Sequence, residues 1–261
     1  MIRPLYLGAE TRAVALDGPA LRIAAEGRAD ARVPLRMLSR VVSRTAVEWS
    51  TSALVACLTA GVPVALVGTD GAAIGLCLPT ARRSADLARR LDALEREPGG
   101  TEAFRNWARA EERRAMLAVL GRPEPGAAVD ARPETLRRMV LAAADVGPDR
   151  AAAMLRALEG MLAAHLAGLL LGAGLPHRRA APAPPGRLDL FGACLGAARW
   201  ELVPALERAA AHRRAQPRAW DTPRQRARRL ARRYEATAPR IAASMRRRLR
   251  RLDEWLWERE P

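Results

Sequence analysis

The feature that most limits what this chain can fold into is a change of hydrophobic period close to Pro79. Before it, apolar residues come in short runs of strand length; after it they recur at helical spacing. "LYL" (5–7), "AVAL" (13–16) and "LRIAA" (21–25) are brief apolar or alternating runs, and "DGPA" turns the chain between the last two. "RVPLRMLSRVVSRTAVEWS" supplies further strands, with Pro34 suited to an edge or a strand start. "WSTSALVACLTAG" reads as a short helix that opens on serine and threonine and stops at Gly61. "VPVALVG", a turn at "TDG" and "AAIGLCL" make two more strands, and Pro79 cannot continue a ladder.

From Ser84 onward the spacing is helical. Leu87, Leu91 and Leu94 form one stripe; Phe104, Trp107, Met116, Leu117 and Leu120 mark a second helix, and "PETLRRMVLAAADVG" a third. A fourth, from about Asp149, sets Met154, Leu155, Leu158, Met161, Leu162, Leu166 and Leu169 on one broad face. "PHRRAAPAPPGR" (176–187) has the composition of an exposed connection. A helix from about Leu188 to Ala211 follows. The last segment, Thr222 to Trp257, reads as an arginine-studded helix interrupted at Pro239. The expectation is an α+β protein, with a small β-rich domain over residues 1–80 and a larger all-α domain over 81–261, joined near 79–86.

With 261 residues, 49% of them hydrophobic, the chain can bury a substantial core. The most apolar helix candidate, Ala151 to Gly172, carries Arg156, Glu159 and His165, so no membrane span is expected. Neither is a secretory signal, and the expected location is the cytoplasm. Cys57, Cys77 and Cys194 lack metal-ligand spacing and sit among apolar neighbours, as reduced core cysteines do. No P-loop, nucleophile elbow, zinc spacing or dinucleotide fingerprint is present.

Net charge, +16, is the strongest global signal. Every one of the 44 basic residues is arginine, which points in part to coding bias. Coding bias does not choose one half of a chain, however. Residues 1–150 carry 22 arginines and 18 acidic residues; residues 151–261 carry 22 and 10. Between Arg213 and Arg251, 15 arginines face only Asp221 and Glu235. Such density suits a polyanion, since the guanidinium fork matches phosphate. Arg224, Arg228, Arg232, Arg246, Arg247 and Arg250 are the candidate DNA contacts. Leu230, Tyr234, Ile241, Met245, Leu249 and Leu252 form the opposite, packing face. Trp255, Leu256 and Trp257 read as packing residues too.

The order of elements carries a resemblance. "RPLYLGAETRAVALDGPALRI" and "VPLRMLSRVVSRTAVEWSTSALVACLTAGVPVALVGTDGAAIGLCLP" resemble the opening of the CRISPR-associated Cas1 integrase (endonuclease) family. "LDALEREPGGTEAFRNWARAEERRAMLAVLGR" is similar to its first helical pair, and "AAAMLRALEGMLAAHLAGLL" to its glutamate–glycine helix. The likeness covers residues 3–170. It implies a homodimer made by the β domain, a helical domain bearing active site and DNA contacts, and a small Cas2 partner protein. The implied activity is metal-dependent strand transfer with Mg²⁺ or Mn²⁺, inserting spacer DNA into the CRISPR repeat. In that scheme Glu159 is the first metal ligand, and His212 and Asp221, nine residues apart, complete the set. His177 and Asp189, twelve apart, are the alternative pair. "PPGRLDLFGACLGAARWELVPALERAAA" lacks the family's asparagine, which leaves open a catalytically inactive relative that binds DNA or scaffolds a complex. His165, mid-stripe on the fourth helix, reads as a hydrogen-bonded core histidine.

Overall fold

The computed structural model describes residues 3–79, 86–120, 132–220 and 222–259. Its N-terminal part consists of β1 (Arg3–Leu7), β2 (Thr11–Asp17), β3 (Ala20–Ala25), β4 (Ala31–Pro34), β5 (Leu38–Arg44), β6 (Glu48–Trp49), α1 (Thr51–Thr59), β7 (Val64–Val67) and β8 (Ala73–Cys77). They make two four-stranded sheets, ordered β1-β5-β7-β8 and β4-β3-β2-β6. In the first, β1, β5 and β7 run parallel and β8 turns back antiparallel. In the second, β2, β3 and β4 form a meander, and β6 pairs parallel with β2.

Strand alternation explains why "VPVALVG" is apolar throughout. Val41 and Val64 point toward the second sheet and α1, joining Leu7, Val14, Leu21, Ala53 and Cys57. Their neighbours Val42, Ala65 and Val67 point the other way, onto Ala164. A strand covered on both faces needs no polar side. α1 starts as its sequence suggests: the Ser50 hydroxyl accepts from the Ala53 N–H, and Gly61 follows with φ +77°.

The helical part comprises α2 (Asp86–Arg96), α3 (Gly100–Leu120), α4 (Pro133–Ala143), α5 (Pro148–Gly172), α6 (Leu190–Trp200), α7 (Val203–Ala215) and α8 (Pro223–Trp257). α5 is the hub, touching β5, β7 and β8 on one side and α4, α6, α7 and α8 on the others. Contrary to the reading from composition, its length and apolarity would suffice to cross a membrane. Its apolar surface is instead covered by these neighbours, with Leu158, Leu162, Leu166 and Leu170 fully buried.

Three local readings need correction. The helix expected over 188–211 is two, α6 and α7, because Pro204 lacks an N–H and sits in the first turn of a new helix. α8, in contrast, runs unbroken through Pro239. Packing of Leu230, Tyr234, Ile241, Met245, Leu249 and Leu252, all buried, outweighs the one backbone bond a proline removes. The 176–187 connection is not merely exposed: Arg179 within it is buried, donating to Asp92, Glu95 and the Leu188 carbonyl. Most of the expected 79–86 join lies outside the described residues. Cys57 and Cys194 are buried, and burial pushes their thiols up to about 11 and about 12, as inert core cysteines require.

Candidate functional site

Glu159 and Gly160 mark where the helical part meets the sheet. A Cβ on Gly160 would stand 2.1 Å from the Gly71 carbonyl oxygen, and one on Gly71 would stand 2.7 Å from the Ala157 Cα. The β7–β8 turn therefore rests directly on α5, and only glycine on each side allows that approach. Gly71 also has φ +88°, which favours glycine again. Glu159 lies about 200° around the helix from Ala157, so it faces away from this turn.

On that far face the Glu159 carboxylate, 15% exposed, meets two cations. Arg137 of α4 donates from Nη2 to Oε1 at 3.1 Å, and Arg199 of α6 brings Nε to 3.4 Å from the same oxygen. Nothing in the local sequence pairs these three residues; they are 22 and 40 positions apart and meet through helix packing.

His212, near the end of α7, is held elsewhere. Its Nδ1 accepts from the Trp220 indole N–H at 3.0 Å, and Nε2 stands 3.1 Å from Nη1 of Arg229. A guanidinium only donates, while a neutral imidazole has a single accepting nitrogen. The ring is thus surrounded by donors, and burial with Arg229 and Arg233 nearby lowers its pKa. Asp221 lies outside the described residues. Of the alternative pair, Asp189 is the N-cap of α6, accepting from the Gly192 N–H at 2.8 Å. That puts it about 15 Å along the helix from Arg199. His177 is exposed in a 3-10 turn. His165 donates or accepts at 2.9 Å with the buried Tyr234 hydroxyl, the core role expected of it.

A divalent cation does not fit these groups as they stand. Among the described residues no three His, Cys, Asp or Glu side chains come together to hold one. Glu159 already faces two positive charges, and His212 faces two N–H donors. Mg²⁺ and Mn²⁺ need several oxygen ligands, of which the described residues of this centre offer one carboxylate.

The second feature is a cleft of about 1310 Å³ on the Ala157 side of α5, between the β7–β8 turn and α8. Arg224, Arg228 and Arg232, three of the candidate DNA contacts, line it. Arg3, Arg28, Arg44, Arg150 and Arg213 join them from strands, loops and other helices, which no local pattern could foretell. Arg246, Arg247 and Arg250 border a separate groove beside Leu169 and Gly172. Arg224 pairs with Glu10 at 3.5 Å. Arg228, Arg232, Arg246, Arg247 and Arg250 are exposed and make no ion pair among the described residues. This contrasts with Arg40, Arg179, Arg248 and Arg251, which are tied to carboxylates.

Comparison with known proteins bears on both features. Residues 5–166 match the family described as CRISPR associated protein Cas1. No curated protein sequence matches. Among solved structures, the fold is similar to a Cas1 protein from Thermotoga maritima (TM-score 0.75, 12% identity, 96% of this chain and 97% of that one). It is also similar to a casposase bound to an integration product (TM-score 0.67, 12% identity, 100% and 92%). A chain of a Cas6-RT-Cas1–Cas2 complex is a third likeness (TM-score 0.56, 14% identity, 81% of this chain and 28% of that one).

Proposed function

The chain belongs to the Cas1 family, and on that premise we propose that it acts in CRISPR adaptation, holding DNA for insertion into the repeat array. The observation that supports this most directly is that Arg228, Arg232, Arg246, Arg247 and Arg250 of α8 are exposed and make no ion pair among the described residues. A cation with no carboxylate partner keeps its full charge for a phosphate, and each phosphate neutralised steepens the salt dependence of duplex binding by about 0.9. A homodimer built through the sheets, working with a Cas2 protein, belongs to the same proposal.

The finer reading is strand transfer itself. A 3′-hydroxyl oxygen bonds to a phosphorus of the target strand while that phosphorus releases its own 3′-oxygen, so bonds are exchanged and no ATP is consumed. Glu159 is the residue the family likeness assigns to this step, with Mg²⁺ or Mn²⁺ as the cofactor. Among the described residues no ligand set for that cation comes together. That same observation favours a second reading, a member that binds and positions DNA without joining it.

One experiment separates them: strand transfer on a branched DNA with a free 3′-hydroxyl, using wild type and Glu159→Ala, with Mn²⁺ or EDTA. Both readings expect DNA binding in EDTA. Joining that needs Mn²⁺ and disappears in Glu159→Ala establishes the integrase. Binding without joining in either protein establishes the binding role, and no DNA binding at all overturns both.

A further inference from the structure

Arg40 puts a charge on a face of β5 that otherwise turns apolar side chains toward α5; Val42, two positions on, packs there beside Ala164. Arg40 is 5% exposed. Its Nη2 donates to Tyr6 and Glu235, which line the arginine-rich cleft, while Arg40 itself lines a second cleft of about 1010 Å³. This second cleft lies between β5, the end of α1, the end of β8 and the C-terminal half of α5, and the two clefts share no lining residue. Nε and Nη1 of Arg40 find no acceptor among the described residues.

His165 of α5 lines the same cleft. The Tyr234 hydroxyl is buried, and its hydrogen-bond partner among the described residues is His165 Nδ1 at 2.9 Å. The hydroxyl therefore donates to Nδ1, and the ring proton sits on Nε2, which makes no hydrogen bond among the described residues. Burial and Arg40 lower the pKa of His165 to about 3, so at neutral pH Nε2–H is an uncharged donor close to a charged one. No acid lines the cleft among the described residues, and Leu58, Pro63, Leu78 and Leu169 supply its apolar walls.

We infer that this cleft binds one carboxylate carried on an apolar body, with the carboxylate between Arg40 and His165 and the body along the apolar walls. A concave apolar site with a few converging polar groups is how proteins hold small ligands, and donors without acceptors in such a wall favour a ligand that brings one. Charge narrows the class. Arg40 already shares its charge with Glu235, so it can balance one further monoanion, as the buried Arg179 does when it holds both Asp92 and Glu95. A phosphate monoester would bring a charge of about −2 against leucine and proline, which costs more desolvation than one shared guanidinium returns. A neutral apolar molecule would leave both donors unmet. The cleft is open at Gly172, where a Cβ would meet nothing within 4 Å, so the body has room there. The inference is independent of the DNA-binding reading. The carboxylate can belong to a free acid or to an acidic side chain between apolar residues of a partner.

The test titrates 4-phenylbutanoate, its amide and a terminally blocked Leu-Glu-Leu peptide into the whole protein near neutral pH, by calorimetry and by NMR of the three histidine rings. His165→Gln assigns the His165 signals. A carboxylate should bind and move the His165 signals while leaving those of His177 and His212 in place, and the amide should bind about tenfold more weakly or worse. Arg40→Gln should weaken the acid to the level of the amide. Because that change also cuts the ties to Tyr6 and Glu235, Gly172→Leu is the second variant; it fills the cleft from its open side and should abolish binding with an unchanged circular dichroism spectrum. Binding of the free acid alone assigns a small molecule, and binding of the peptide alone assigns a partner's side chain; either sustains the inference. Equal binding of acid and amide, binding that leaves His165 unmoved or survives Gly172→Leu, or no binding of either carboxylate would overturn it.

Discussion

At the scale of the residue, Gly160 and His165 show how one helix serves packing on neighbouring faces. The carbonyl that a Gly160 side chain would strike is backbone and cannot swing aside. Gly160→Ala should therefore destabilise by about 1–3 kcal/mol, read as a lower urea midpoint at unchanged slope. Gly172→Ala, where a Cβ meets nothing within 4 Å, should cost nothing. His165 predicts a pH effect. Burial, with Arg40 beside it, lowers its pKa to about 3, against about 6.5 for an unfolded histidine. The groups facing it are Arg40 and the hydroxyl of Tyr234. Below pH 6.5 the unfolded chain takes up a proton that the folded protein refuses, so this contribution is complete above 6.5 and is lost as pH falls toward 3. Between pH 6.5 and 5, wild-type stability should fall by up to about 1.4 kcal/mol per unit more steeply than that of His165→Gln. Parallel profiles for the two proteins would mean the histidine takes up its proton in the fold as readily as in the unfolded chain.

At the scale of the element, what holds α8 in place is partly legible in the sequence and partly hidden from it. Its apolar face could be read from the spacing of Leu230, Tyr234, Ile241, Met245, Leu249 and Leu252, since a buried stripe repeats with the helix. Its charged anchorage could not. Glu111 of α3, 2% exposed, receives Arg114, Arg248 and Arg251, and Arg248, 3% exposed, also reaches Glu201 at 3.4 Å. These partners lie up to 140 residues apart, and ion pairs leave no period behind. In a chain whose arginines look alike, only packing distinguishes Arg248, which is structural, from Arg247 beside it, which faces solvent. The same limit hid Arg137 and Arg199, the two cations packed against Glu159. Glu111→Gln should leave the buried Arg248 with Glu201 as its one carboxylate among the described residues, and cost about 3–5 kcal/mol. Arg114→Gln removes the exposed member of the group and should cost less than about 1 kcal/mol. Equal losses from the two substitutions, by chemical denaturation, would show that burial does not set their worth.

At the scale of the whole molecule, net charge and fold pull against each other. The N-terminal sheets contribute Tyr6 and Arg40 to Glu235 on α8, so the basic helix is clamped to the sheets through one of the few acids near it. Elsewhere α8 crowds like charges along an exposed stripe, and the molecule carries +16. Self-repulsion of that size weakens the compact state, and salt screens it within about 10 Å at 0.1 M. Salt also weakens ion pairs, but those at Glu111 and Arg179 involve a buried group and are screened much less than the exposed ones. Salt should then stabilise this protein while loosening its hold on DNA, two effects of opposite sign from one set of arginines. Thermal melts should shift upward as NaCl rises from low concentration, and the shift should shrink in the fourfold variant Arg228→Gln/Arg232→Gln/Arg246→Gln/Arg250→Gln. Saturating duplex at low salt should stabilise wild type by about 2.7 kcal/mol when present at a hundredfold excess over Kd, because the ligand binds only the folded protein. Raising the salt should erase that gain even as the free protein becomes more stable, so the two melting curves should converge. Curves that instead rise in parallel would mean the duplex is held by contacts other than charge, and the arginine stripe would lose its assigned role.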